Sequence, residues 1–184
     1  NKGAKSIVPP LTSNSQNGYE VSASSIYSST FDVWKAFNNT NKNSDDCWAS
    51  SSSSVPQWVQ IKLPKPQSVV KYSITSRHSN RNNPLKSWIL QGSLDGLNWT
   101  DLDEQTNIPM WEYDETRVYY INQNIDNYLY YRIYITEKHG PDNYIEIGEL
   151  KLYETDFDII EEVTIDNEMD YVQDLDIGKV YESR

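Results

Sequence analysis

The octapeptide LYYRIYIT at 129–136 places Leu129, Tyr131, Ile133 and Ile135 on one side of an extended chain and Tyr130, Arg132 and Tyr134 on the other. A period of two gives a helix no apolar stripe, so this segment reads as a strand with one face in a core. Six further segments alternate or are rich in β-branched and aromatic residues, at 19–27, 58–63, 69–75, 88–94, 117–122 and 144–153. Clusters of Asn, Ser, Asp, Gly and Pro separate them. Only 32–38 suits a short helix, and without strand and helix alternation nothing signals a parallel sheet. The pattern therefore predicts an all-β fold, an antiparallel jelly-roll β-sandwich. Fourteen Tyr and six Trp against three Phe fit strands with an amphipathic surface.

At 184 residues the chain has room for one main domain and an appendage. The expected organisation is a lead-in at 1–9, a sandwich at 10–154 and an acidic C-terminal extension at 155–184. Ten acids against two bases in that extension carry −8 of the net charge of −11, leaving −3 for the rest. The extension has too few large apolar residues for a core of its own and is read as a linker or an assembly element for a homo-oligomer or larger particle. No basic footprint marks a nucleic-acid partner. No apolar run approaches the ~18 residues of a membrane span, and no charged-then-apolar leader opens the chain, so direct membrane insertion is not expected. The start at Asn1 suggests a processed chain or a piece of a longer one. Cys47 is alone, which rules out an intrachain disulfide and suits a small buried hydrophobe. With two histidines and no HExxH, GxSxG or phosphate-cradling loop, the chain does not read as an enzyme.

A set of motifs falls in a telling order: WKAFNN at Trp34, CWAS at Cys47, PQWVQIKLP at Pro56, WILQGSLDGLNWTDL at Trp88, YYRIYI at Tyr130 and IEIGELKLYE at Ile145. Together they resemble the discoidin-type domain shared by the type C domains of coagulation factors and the family 32 carbohydrate-binding modules, over about 10–154. Asp95 and Gly96 supply a tight turn between two strands, and Trp58, Trp88 and Trp99 are expected in the core. The factor-type cysteine pair is missing and the loops are rich in Asn and Ser, which tilts the resemblance toward the microbial sugar-binding branch. It implies a non-catalytic, extracellular or cell-surface module whose partners are glycans. The opening at 9–29 also resembles discoidin-like domains of bacteriophage tail and head-fibre proteins, so the alternative is a structural or host-adsorption part of a virion.

The stretch TSRHSNRNNP leaves a strand and lands at the sandwich rim, where Arg77, His78, Asn80 and Arg81 would meet vicinal hydroxyls. Sugars also want an aromatic face for their C–H side, and the resemblance brings EKHGPDNY to the same end, with His139 or Tyr144 as that face and Tyr27 as a further contact. As rim residues, Arg77 and His78 are expected to be replaceable with little effect on stability. The resemblance further implies a structural calcium site around KAFNNTNKNSDDCW, with Asp46 and Glu149 supplying charge and carbonyls of Lys35, Thr40 and Gly148 completing the shell. Asn38 stands where the family usually has Asp, which removes one charge.

Overall fold

The computed structural model describes residues 5–79, 84–122 and 126–154. Eleven strands are described: β1 (Ser15–Gln16), β2 (Tyr19–Ala23), β3 (Trp48–Ala49), β4 (Gln57–Gln67), β5 (Lys71–Thr75), β6 (Leu85–Ser93), β7 (Thr100–Gln105), β8 (Thr116–Tyr120), β9 (Tyr128–Lys138), β10 (Glu146–Ile147) and β11 (Glu149–Tyr153). All pair antiparallel, in a six-stranded sheet of order β1-β2-β4-β9-β6-β7, a three-stranded sheet β11-β5-β8 and a two-stranded pair β10-β3. This is the expected all-β, jelly-roll-like sandwich. Among the described residues no helix is long and apolar enough to cross a membrane.

Period two decides which side chains are buried. In β4, Val59, Ile61 and Leu63 point inward, and in β9 Tyr131, Ile133 and Ile135 do the same. The register Val59↔Ile133 and Leu90↔Ile133 sets three strands' inner residues side by side. The expected helix at 32–38 is instead a pair of 3₁₀ turns, Ser29–Phe31 and Val33–Phe37, the second capped by Asp32, whose Oδ1 accepts from the Val33 amide at 2.7 Å. The predicted strand at 144–153 breaks in two at Gly148. A Cβ there would lie 2.6 Å from the Ser76 carbonyl oxygen and 2.9 Å from Asn41 Oδ1, so only glycine fits.

The tryptophans correct one expectation. Trp88 is fully buried as predicted, but Trp58 and Trp99 are only half-buried, and the other buried indoles are Trp48 and Trp111. Trp58 alternates with inward Val59 and pairs with Tyr134 on the outer face. Trp99 lies beneath the Arg132 guanidinium, 3.9 Å from its ring centre. Each buried indole N–H has an acceptor: Trp48 donates to the Ser25 carbonyl, Trp88 to the Tyr72 hydroxyl and Trp111 to the Leu85 carbonyl. The Asp95–Gly96 turn is as expected, with Gly96 at φ +73° and Asp95 Oδ1 accepting from the amides of Leu97 and Asn98.

Candidate functional site

Past the end of β5 the chain is pinned, since Ser76 donates its amide to the Glu115 carbonyl and its hydroxyl to the Glu112 carbonyl. Arg77 follows and turns inward. Its Nη1 meets Glu146 Oε2 at 2.9 Å, its Nε donates to the Ser44 carbonyl, and its guanidinium carbon lies 5.2 Å from the Phe31 ring centre. Only 7% of Arg77 and 1% of Glu146 is exposed, so this is a buried ion pair. Its place is set by backbone pairing. Glu146 in β10 sits opposite Ala49 in β3, and the Ala49 carbonyl accepts from the Tyr27 amide at 2.7 Å.

That arrangement gathers Tyr27, Phe31, Ala49, Arg77 and Tyr144 around a cavity of about 190 Å³. The Tyr27 ring meets Phe31 and Tyr144 edge-on, with centres 5.8 and 5.7 Å away. Tyr27 remains 59% exposed, so the aromatic wall opens to solvent. At about 30 Å³ per water the space equals roughly six waters, the scale of one small ring. Burial pushes the Tyr144 hydroxyl above its ordinary value, and the carboxylates of Glu146 and Asp142 push it further, with Arg77 opposing them. The phenol is thus a neutral donor. Two larger clefts, about 510 and 580 Å³, flank the lead-in and share Lys5, Ser6, Ile7 and Tyr19, but neither has an arginine in its wall.

Three of the residues expected from sequence, Arg77, Tyr144 and Tyr27, therefore share one cavity. His78 is half-buried outside its lining, and its Nδ1 has no partner among the described residues. His139 is also outside it, its Nε2 lying 2.8 Å from the Ile108 carbonyl oxygen. Asn80 and Arg81 lie outside the described residues. Arg77 is not the freely replaceable rim residue expected: it is the partner of a buried acid. The sequence reading missed Phe31, Ala49 and Glu146.

The expected calcium residues form a second cluster. Asp46 Oδ1 accepts from Asn38 Nδ2 at 2.6 Å, and its Oδ2 accepts from the Thr40 hydroxyl at 2.8 Å and the Lys42 amide at 2.9 Å. The Asp46 carboxyl is held below the usual range: burial opposes this, but the hydrogen bonds and Lys35 outweigh it. Lys35 itself donates Nζ to the Asp45 carbonyl. Asn39, at φ +61°, turns its amide onto Glu149 Oε1 at 3.0 Å. Glu149 Oε2 is buried without a partner among the described residues, and burial pushes this carboxyl up to about 9. An acid acceptor left open beside a second carboxylate suits a hard cation with oxygen ligands. No three His, Cys, Asp or Glu side chains converge among the described residues, so two carboxylates would have to suffice.

The F5/8 type C domain family matches residues 20–150. Among solved structures, the chain is similar to a family 32 carbohydrate-binding module of Clostridium perfringens NanJ in complex with galactose, at 21% identity, covering 74% of this chain and 94% of that one with a TM-score of 0.59. It is similar also to chitosan-binding module 2 of a Paenibacillus sp. IK-5 chitosanase/glucanase in complex with chitotriose, at 21% identity, 74% and 96% coverage and a TM-score of 0.61. A third is the family 32 module of Streptococcus pneumoniae EndoD, at 19% identity, 82% and 100% coverage and a TM-score of 0.62. No curated protein matches the chain.

Proposed function

The chain belongs to the F5/8 type C domain family, and on that premise we propose that it is a non-catalytic carbohydrate-binding module of the cell surface or extracellular space. A sugar ring of a surface glycan enters the cavity of Tyr27, Phe31, Arg77 and Tyr144. The observation that carries this reading is the meeting of three aromatic rings with one fixed guanidinium. Ring C–H groups pack on Tyr27, while Arg77 and the Tyr144 hydroxyl hydrogen-bond the sugar's hydroxyls. Structures that bind galactose and chitotriose on this fold support the ligand class. A cavity for one ring gives weak affinity, roughly millimolar or about −4 kcal/mol, so attachment depends on several copies acting together.

The calcium role is part of the same proposal. Asp46 and Glu149, with carbonyls of Lys35, Thr40 and Gly148 as the family resemblance implies, would hold the ion. Its chemistry is charge neutralisation, joining the 38–46 loop to the start of β11. The assembly role of 155–184 falls outside the described residues, and no observation favours the virion reading over the module.

The test is a glycan array probed with multivalent clusters of the wild-type chain and of Tyr27→Ala. Tyr27 is exposed, so its loss leaves the fold intact. The expected result is a chemically related set of glycans retained by wild type and weakened at least about tenfold, or 1.4 kcal/mol, in the variant. Equal retention by both would reject this cavity as the site.

A further inference from the structure

Among the described residues Arg77 is the only formally charged one in the cavity wall, and its guanidinium already has acidic partners. Glu146 lies 2.9 Å from Nη1, and the exposed carboxylate of Asp45 lies 4.0 Å from Nη2. The local field is therefore not that of a free cation. Charges of both signs reach Tyr144, whose hydroxyl is pushed up first by burial and then by the carboxylates of Glu146 and Asp142, with Arg77 opposing them. Two lysines stand outside the cavity wall, Lys35 in the second 3₁₀ turn and Lys138 at the end of β9. Lys35 Nζ donates to the Asp45 carbonyl, and Lys138 Nζ to the carbonyls of His139 and Gly140.

Resting on the reading of this cavity as the glycan site, we infer that the site selects by ligand charge: it accepts uncharged sugar rings and excludes sialic and uronic acids, with Glu146 and Asp45 as the residues that set this preference. A sugar carboxylate brought into the cavity would lose water and find, in the described wall, only a guanidinium already engaged by the carboxylates of Glu146 and Asp45. A neutral ring meets the aromatic wall and the hydrogen-bonding groups of Arg77 and Tyr144 at no such cost. Arg77 thus serves as a fixed donor fork, and Glu146 acts through it as a positioning residue. Exclusion comes from the repulsive partners rather than from any extra attraction.

The experiment uses matched glycan pairs on one array, each glycan with and without terminal sialic acid, together with galactan and polygalacturonate. Wild type should be retained at least tenfold better on the neutral member of each pair it recognises. Asp45→Asn, which changes an exposed side chain, should raise the anionic-to-neutral ratio severalfold, and Glu146→Gln should raise it further. Thermal melts check that each variant is folded; if Glu146→Gln is not, Asp45→Asn decides alone. Equal or better retention of the anionic members by wild type overturns the inference while leaving the glycan site standing. A ratio unmoved by Asp45→Asn overturns it too. A blank on every member, neutral and anionic, overturns the glycan site itself and this inference with it.

Discussion

Glu146 and Glu149 stand three residues apart on either side of Gly148, with 1% and 5% of their surfaces exposed, yet they have opposite electrostatic fates. Glu146 is met by a guanidinium at 2.9 Å. Glu149 receives a backbone amide at 3.0 Å on one oxygen and has no partner among the described residues on the other. Burial is the same in kind, so the partner decides the outcome. The first acid belongs to a buried ion pair whose arginine forms part of a cavity wall. The second waits for a proton or a cation, and burial pushes it up to about 9.

The strongest way to break this contrast is Arg77→Met. It leaves Glu146 buried without its cation and is expected to cost about 3–5 kcal/mol in urea unfolding at pH 7. Adding Glu146→Gln should recover part of that loss. A cost below about 1 kcal/mol for the single variant would mean the pair is not needed for folding.

The pH profile of Glu149 comes next. Its folded value of about 9 lies above the ordinary 4.5, so the folded state holds a proton the unfolded chain releases. Its contribution is then fully present below about pH 4.5 and lost as the pH rises toward 9, by at most about 1.4 kcal/mol per pH unit. Urea midpoints taken with a chelator across pH 5–9 should fall in wild type and fall less in Glu149→Gln. A smaller effect is expected from calcium, which should raise the wild-type melting temperature by a few degrees at saturating ion and leave Glu149→Gln unmoved. Identical wild-type melting curves with ion and with chelator would remove the calcium role. Smallest of all is the response of Cys47, a fully buried thiol pushed up to about 12 by burial beside the Arg77–Glu146 pair. Iodoacetamide at pH 8 should leave the folded protein unmodified and label it in urea.

How much of this was legible in the sequence depended on where alternation was clean. The segments at 58–63 and 129–136 sit in β4 and β9, because each alternates apolar residues against a two-sided sheet; most of 88–94 sits in β6 without clean alternation, since Leu90 to Ser93 are all buried. β7 carried no alternation of its own: TDLDEQ looks like loop, the Asp95–Gly96 turn alone implied a strand after it, and it forms because β6 pairs with it along one edge. Trp58 and Trp99 were misplaced by size alone, although the register of PQWVQIKL, with Val59, Ile61 and Leu63 inward, puts Trp58 on the outer face. At the site, Arg77, Tyr144 and Tyr27 were legible as polar and aromatic residues at strand ends. Phe31 and Ala49 carry no local signal. Glu146 was hidden for a physical reason. Residues 145–150 are all buried, so alternation offers no face to assign, and the ion pair that accommodates this acid comes from Arg77, distant in the chain.

The central claim is that the cavity of Tyr27, Phe31, Arg77 and Tyr144 is where this chain meets a sugar. The most direct measurement is a titration of the isotope-labelled protein with galactose and, separately, with chitotriose, followed by amide and arginine Nε–H chemical shifts. Shifts confined to Tyr27, Phe31, Ala49, Tyr144 and the Arg77 Nε–H, saturating in the millimolar range with at least one sugar, are the predicted result. Shifts gathered instead around Lys5, Tyr19 and Lys151, or none at these residues with either sugar, would contradict it.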